Sequence, residues 1–269
     1  MILRVFWSCF LVLVLLLWGG EAQAGVLAER LAHPHWEGKP PVAAAEGDLV
    51  YPDWMVGTWK VTSTLVDLVA PLAPEILTPG FESNRRYLNQ PVSFYVRFKP
   101  IIHTSEGLSR FFLNPKSGDV LGRLMSPKNS FKIPQVVADR AFNGLNIGRA
   151  YLGDRAILSV KVDPHSPNRQ ITSLRGNRQL VSIVTGRGTE TPAPDKFIAT
   201  ELQEQIFRGI PSPYFNTVET TTAYHRLGSS IEADQVTAVY LSPQDPDYFK
   251  ALERPVALYR YRLELEKSP

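Results

Sequence analysis

From Gly57 onward apolar and polar residues alternate, with Trp59, Val61, Ser63 and Leu65 on one parity and Lys60, Thr62, Thr64 and Val66 on the other. A period of two marks a half-buried strand, because successive side chains leave a pleated chain on opposite faces. Val92 to Lys99 resumes the pattern and Ile231 to Leu241 repeats it. Val256 to Glu266 sets Tyr259, Tyr261, Leu263 and Leu265 against Arg260, Arg262, Glu264 and Glu266. Shorter strands are expected at Arg110 to Leu113, Val120 to Leu124, Ala156 to Val162, Gln170 to Arg175, Arg178 to Arg187 and Thr217 to Arg226. Asn114 to Gly118 reads as the turn of one hairpin, and the dipeptide Gly176-Asn177 as the tight, antiparallel joint of another.

Phe197 to Arg208 fits two patterns. Ile198, Leu202 and Ile206 share a strand parity and also a helical i, i+4, i+8 spacing; Glu201, Gln203 and Gln205 fall on the opposite parity, and the segment is read as a strand. One internal helix is expected over Asp139 to Leu152, with Asp139 as N-cap, Phe142, Leu145 and Arg149 at helical spacing, and Gly153 just past the end. Gly144 and Gly148 count against it. Residues 69–90, broken by Pro71, Pro74, Pro79 and Gly80, predict a long loop or cap over one end of the strands. A run of about eight to ten short strands with turns between them predicts a mainly β protein, most simply closed as one antiparallel β-barrel, and a barrel of that size holds at most one small ligand.

Composition agrees: 44% hydrophobic and 20% charged residues, with 22 prolines and 18 glycines, describe a turn-rich globular domain and not a helical bundle. Residues 1–24 are set apart as a signal peptide. Arg4 supplies the positive start, Val5 to Trp18 an apolar stretch short of a membrane span, and Ala22-Gln23-Ala24 a small-x-small cleavage site, so the mature chain is expected to begin at Gly25, with an uncleaved membrane anchor as the alternative. The single cysteine, Cys9, falls inside that signal, which excludes disulfides, thiolate metal sites and cysteine nucleophiles from the mature chain. Residues 25–50 read as a flexible lead-in with little core, and residues 51–269 as one β-barrel domain.

Charge is uneven. Residues 123–187 carry eleven basic and three acidic side chains, against a formal net charge of +3 for the whole chain. Arg140, Arg149, Arg155, Arg169, Arg175, Arg178 and Arg187 belong to this block, which suits an anionic membrane surface or an acidic protein; a solvated strand face is the plainer alternative. Nucleic acid is not expected as a partner of an exported protein.

The chemistry-bearing motifs are absent from the sequence: there is no Gly-x-Ser-x-Gly, no Gly-x-x-x-x-Gly-Lys and no His-Glu-x-x-His, and Gly186-Arg187-Gly188 lacks the third glycine and following helix that dinucleotide binding needs. His33 and His35 flank a proline without a nearby third ligand, and His103 and His165 lie beside loops; none is assigned a metal. His225 shares its face with Thr217, Glu219, Thr221 and Ala223, which leaves haem ligation a minor alternative. Glu201 and Glu204, at odd separation on a strand, point to opposite faces. No catalytic residue, metal or cofactor is expected, and the chain is read as non-enzymatic. The aromatics include Trp59, Phe94, Phe98, Tyr259 and Tyr261, candidates to line a cavity for a pigment, quinone or lipid, with ordinary core packing as the alternative.

Gly57-Thr58-Trp59, opening an early strand, resembles the Gly-x-Trp signature of lipocalins and other calycins, which implies a calycin-like barrel with Trp59 as a plug at the closed end. In those families a late-strand arginine packs over the tryptophan, a place the resemblance gives to Arg260 or Arg262. A broader resemblance rests on the segments 51–59, 91–98, 173–176, 219–222, 240–246 and 257–261: the chain is similar to an uncharacterised family of exported proteins of cyanobacteria and chloroplasts. This implies the thylakoid lumen or periplasm and a photosynthetic setting, without assigning residues a role. The expected function is therefore binding or assisting the assembly of membrane-associated photosynthetic proteins through Arg169, Arg175 and Arg178, with a carrier of a small apolar ligand as the alternative.

Overall fold

The computed structural model describes residues 25–32, 34, 38–104 and 132–268; the expected hairpin at 110–124 and the signal lie outside them. The strands are β1 (Ala43–Ala44), β2 (Val50–Tyr51), β3 (Gly57–Val69), β4 (Pro91–Thr104), β5 (Lys132–Ala138), β6 (Ile157–Asp163), β7 (Ser166–Leu174), β8 (Arg178–Ala193), β9 (Lys196–Arg208), β10 (Tyr214–Leu227), β11 (Ser230–Leu241) and β12 (Ala257–Lys267). Helices α1 (Val26–Glu29), α2 (Phe81–Asn84), α3 (Arg140–Leu152) and α4 (Tyr248–Ala251) decorate them. The strands run in the order β2-β5-β4-β3-β12-β11-β10-β9-β8-β7-β6, each ladder antiparallel, with β1 added to β8. The sheet curls into a half-barrel, so the mainly β, antiparallel fold class is as expected, with more strands and a less complete closure.

Local chemistry accounts for the elements. Gly176 and Asn177 both take positive φ, 79° and 57°, which is what a two-residue hairpin with the twist of its flanking strands requires. Helix α3 is capped by Asp139, whose carboxylate accepts the Phe142 N–H at 3.4 Å, and stops at Gly153, where φ is 89°. Val66 is an extra residue in β3: Arg260 pairs with Asp67 but Tyr261 with Leu65, a bulge that sharpens the local bend.

Among the described residues no ladder joins β6 to β2 or β5, and α3 occupies the opening. It packs against β4 and β6. Its Asn143 side chain accepts the Arg97 N–H at 2.7 Å and donates to the Arg97 carbonyl at 3.2 Å, satisfying an edge that no strand covers. The two glycines that argue against the helix are what allow its close approach. A Cβ at Gly144 would meet Gln170 Nε2 at 2.9 Å, and one at Gly148 would meet Ile157 Cγ1 at 3.0 Å. Tertiary packing outweighs the loss of roughly 1 kcal/mol in propensity at each glycine.

One end of the half-barrel is filled. Leu49, Met55, Trp59, Val61, Phe98 and Leu265 form its core with their neighbours. The indole N–H of Trp59 donates to the Met55 carbonyl at 2.8 Å, and the cation beside the ring is Lys267, 5.8 Å from its centroid. Arg260 and Arg262 do not take that place. Strand parity puts Tyr259, Tyr261 and Leu263 on the concave face, so Arg260 is turned to the convex face, where its Nε donates to Asp234 at 3.0 Å.

Residues 25–50 also depart from the expectation of little core. Leu27 and Leu49 are buried, and Arg30 reaches the convex face of the sheet, where its Nε and Nη2 donate to the Glu219 carboxylate at 2.9 and 2.8 Å. Tyr240 donates to the same carboxylate at 2.8 Å. The segment acts as a strap. It seals Thr200, Glu219 and Thr221, polar residues whose face sequence parity leaves half apolar and open.

Candidate ligand cavity in the half-barrel

The loops 70–90, 153–156, 175–177, 209–213 and 242–256 cluster at the other end, which is open. Below them lies a cavity of about 820 Å³ whose wall includes Leu152, Phe207, Ile210, Tyr214, Tyr259 and Tyr261. A second cavity of about 350 Å³ continues toward the filled end between Phe94, Phe98, Ile147, Tyr151, Tyr224 and Tyr261. Thr237 and Tyr261 line both, so the two adjoin. These volumes fall in the range of small-molecule sites, and the concave, mostly apolar wall with a few polar groups is their usual chemistry.

Polar groups gather on β9 and beneath α3, with Ser63, Asn216, Gln235 and Thr237 elsewhere on the wall. On β9 the apolar parity faces outward under the strap, where Val42 meets both Gly186 and Leu202's neighbourhood, and the polar parity of Glu201, Gln203 and Gln205 faces inward. This is the reverse of a simple hydrophobic-in arrangement, and strand alternation alone does not reveal it. A recess of about 210 Å³ beneath α3 is lined by Asn143, Asn168, Gln170, Ser182 and Gln203. Beside it Arg140 bridges two carboxylates, with Nε to Asp48 at 3.0 Å and Nη2 to Glu201 at 2.8 Å, while Arg187 reaches Glu201 at 3.1 Å. Two arginines meet two carboxylates, so the cluster is charge-balanced. Glu201 and Asp48 hold the Arg140 guanidinium above its ordinary pKa against the opposing effect of burial.

The lumenal tyrosines are neutral donors. Burial pushes Tyr224 up to about 12 and raises Tyr261 further, so both keep their protons throughout the physiological range. Tyr151 shares a 3.1 Å hydrogen bond with Ser63 at the wall of the deeper cavity. A guest in the deeper cavity meets aromatic faces, neutral hydroxyls and amides and, among the described residues, no charged side chain, while Arg178 and Arg208 stand in the lining of the outer cavity.

Of the aromatics picked out by sequence, Phe94, Phe98 and Tyr261 line the deeper cavity, Tyr259 and Tyr261 the outer one, and Trp59 sits in the filled end. Tyr224, another aromatic that the sequence offers for a cavity wall, also lines the deeper one, whereas Tyr51, Tyr151, Thr237 and the cluster of Asp48, Arg140, Arg187 and Glu201 were not singled out as a site. The inward polar parity of β9 was visible as a pattern without its direction. Arg169, Arg175 and Arg178 do not form one patch: Arg169 pairs with Asp163 at 2.9 Å near the start of β7, whereas Arg175 and Arg178 are exposed at the β7–β8 hairpin beside the cavity mouth. Arg140 and Arg187 of the same basic block are turned inward.

His225 lies on the convex face, 3.2 Å from Asp195, in an outer groove that also holds Lys196, Glu232, Asp234, Arg260 and Arg262. It therefore cannot serve as a ligand from within the lumen. Glu201 points inward and Glu204 is exposed, as their odd separation requires. His33 and His35 lie outside the described residues. Among the described residues no cluster of three or more His, Cys, Asp and Glu side chains is placed to hold a metal ion, and no helix is long and apolar enough to cross a membrane.

The family model for a domain of unknown function, DUF6816, matches residues 43–269, which takes in every strand and the whole cavity. The chain belongs to the DUF6816 family. No curated protein and no solved structure matches it. The family boundary falls inside the strap, after Arg30, so the DUF6816 match includes Glu219 and Tyr240 but not the arginine they hold.

Proposed function

We propose that this DUF6816 protein is a non-enzymatic binding protein that holds one uncharged, largely apolar molecule in its half-barrel and exchanges it at an anionic membrane. The carrying observation is the hollow interior: two adjoining cavities of about 820 and 350 Å³, open at one end, with an aromatic wall and a neutral polar side. A protein that served only as a docking module would have every reason to fill this space, since unfilled apolar volume costs stability. The uncharged lining of the deeper cavity, with Arg178 and Arg208 confined to the outer one, favours a guest with carbonyl or hydroxyl groups, such as a quinone, a pigment or a neutral lipid, which can accept from tyrosine and amide donors.

The membrane half of the proposal rests on the rim. Leu77, Leu152, Ile210, Phe249 and Leu252 are exposed on the loops of the open end, with Phe249 82% and Leu252 72% accessible. Arg155, Arg175, Arg178 and Arg208 are exposed on the same end. Apolar side chains that enter the acyl boundary, flanked by arginines that meet anionic headgroups, suit a surface that delivers apolar molecules. An exported location and a photosynthetic membrane fit this reading, the thylakoid lumen or periplasm being the compartments in which such a guest is at hand. Assembly of photosynthetic membrane proteins would then be helped by supplying the guest.

Native mass spectrometry with an absorption spectrum tests the reading on protein purified gently from its own membranes. A stoichiometric extra mass is expected, and it should be lost in Thr237→Trp, which fills the junction of the two cavities. A bare polypeptide mass in the wild type overturns the carrier reading.

A further inference from the structure

We infer that the chain is cut between Ala24 and Gly25 and that Glu190 is the built acceptor for the new α-ammonium group of Gly25. Glu190 lies near the end of β8, far along the chain, yet its carboxylate caps α1: Oε1 accepts the Leu27 N–H at 2.9 Å. The other oxygen, Oε2, is sealed from solvent and has no hydrogen-bond partner among the described residues. A buried carboxylate oxygen without a donor is an expensive arrangement, and native proteins retain one where something else completes it.

What lies against that oxygen is Gly25. A Cβ placed on Gly25 would overlap both oxygens and the carboxyl carbon of Glu190, so any larger residue there would have to push that carboxylate aside. With the chain continuing through Ala24, residue 25 offers one peptide N–H and no charge. After hydrolysis of the 24–25 peptide bond it offers three donors and a positive charge at the same place, while water supplies the hydroxyl of the released Ala24 carboxylate. The position coincides with the end of the small-x-small sequence Ala22-Gln23-Ala24. Two independent features, a leader-type cleavage sequence and an orphan acid across the fold, thus meet at one bond.

The consequence is an ordering of events. The strap is held by Leu27 against Gly188, by Val42 against Gly186 and by Arg30 on Glu219. The Gly25–Glu190 pair adds its terminal clasp, available only to processed protein. Removal of the leader thereby completes the fold and does not merely release it. This inference is independent of what the half-barrel binds.

The test exports the full-length chain with its own leader from a host with a general export pathway and reads the mature N-terminus by intact mass and end sequencing. Gly25 is expected as the first residue. The α-amine of the purified mature protein is then acetylated selectively near neutral pH, and thermal midpoints are compared in wild type and in Glu190→Gln, which retains the acceptor for Leu27. Acetylation should lower the midpoint by several degrees in the wild type at low salt and leave Glu190→Gln unchanged. A leader retained or cut elsewhere overturns the inference, as does an acetylation effect that is absent from the wild type or equal in both proteins.

Discussion

Replacing Arg30 with methionine should destabilise the protein by about 3–5 kcal/mol, the cost of stranding one partner of a buried ion pair. Glu219 has none of its side chain exposed. Its carboxylate takes two hydrogen bonds from Arg30, at 2.9 and 2.8 Å, one from Tyr240 at 2.8 Å and one from Thr221 at 3.2 Å. Methionine keeps the aliphatic bulk but removes half of these donors and the one cationic group that, among the described residues, meets the carboxylate at hydrogen-bond distance. Arg30 Nη2 also donates to the Gly38 carbonyl at 2.9 Å, so the strap loses an anchor along its length. For a domain of this size 1 kcal/mol moves the melting temperature by roughly 2–4 °C, which places the expected shift at about 6–20 °C. Thermal and urea unfolding of Arg30→Met, Glu219→Leu and the double variant form the assay. The double variant should recover most of the loss, because a buried ion pair exchanged for apolar residues is close to neutral, and the coupling should exceed about 2 kcal/mol. A loss below 1 kcal/mol in Arg30→Met, with additive single effects, would refute the docked strap.

Gly148→Leu should destabilise by about 1–3 kcal/mol despite better helix propensity, because its Cβ already meets Ile157 at 3.0 Å; a stabilised variant in urea unfolding would show that α3 does not seal the opening. Stability should be full below about pH 10 and fall as pH rises through 12, since unfolded tyrosines then ionise while folded Tyr224 keeps its proton; a two-unit shift corresponds to roughly 3 kcal/mol, and flat unfolding free energies from pH 9 to 12 would contradict it. Arg175→Glu with Arg178→Glu should weaken flotation with anionic vesicles roughly 30-fold, about 1 kcal/mol for each arginine, while Arg169→Glu, at the far end of β7, changes little; an equal loss in both would place the contact elsewhere. Glu201→Gln should cost about 2–4 kcal/mol in chemical unfolding because Arg140 and Arg187 then share one remaining carboxylate, Asp48.

Much of the architecture is local and was legible from residue order. The alternation of β3, β11 and β12, the left-handed pair Gly176-Asn177 and the Asp139 and Gly153 caps each arise from interactions within a few residues, which is why strand parity, hairpin and helix could be placed from the chain alone. Alternation defines two faces, however, and is silent on which becomes concave. On β12 the apolar face turned inward and carried Tyr259 and Tyr261 to the cavity; on β9 the polar face did, because the strap, through Val42, covers the neighbourhood of Leu202 from outside. Lys267 rather than Arg260 came to lie by Trp59 for the same reason.

The candidate site depends on separations that no local pattern spans. Asp48, Arg140, Arg187 and Glu201 meet only after the sheet has curled and α3 has filled its opening, and Glu190 meets Gly25 only when the strap has crossed the convex face. Residue order alone sets the strands, their turns and the supply of aromatic side chains, since these follow from steric and hydrogen-bonding preferences of neighbouring residues. Curvature, the hollow interior and every long-range ion pair were decided by tertiary structure, because burial and charge pairing are properties of surfaces brought together from distant parts of the chain.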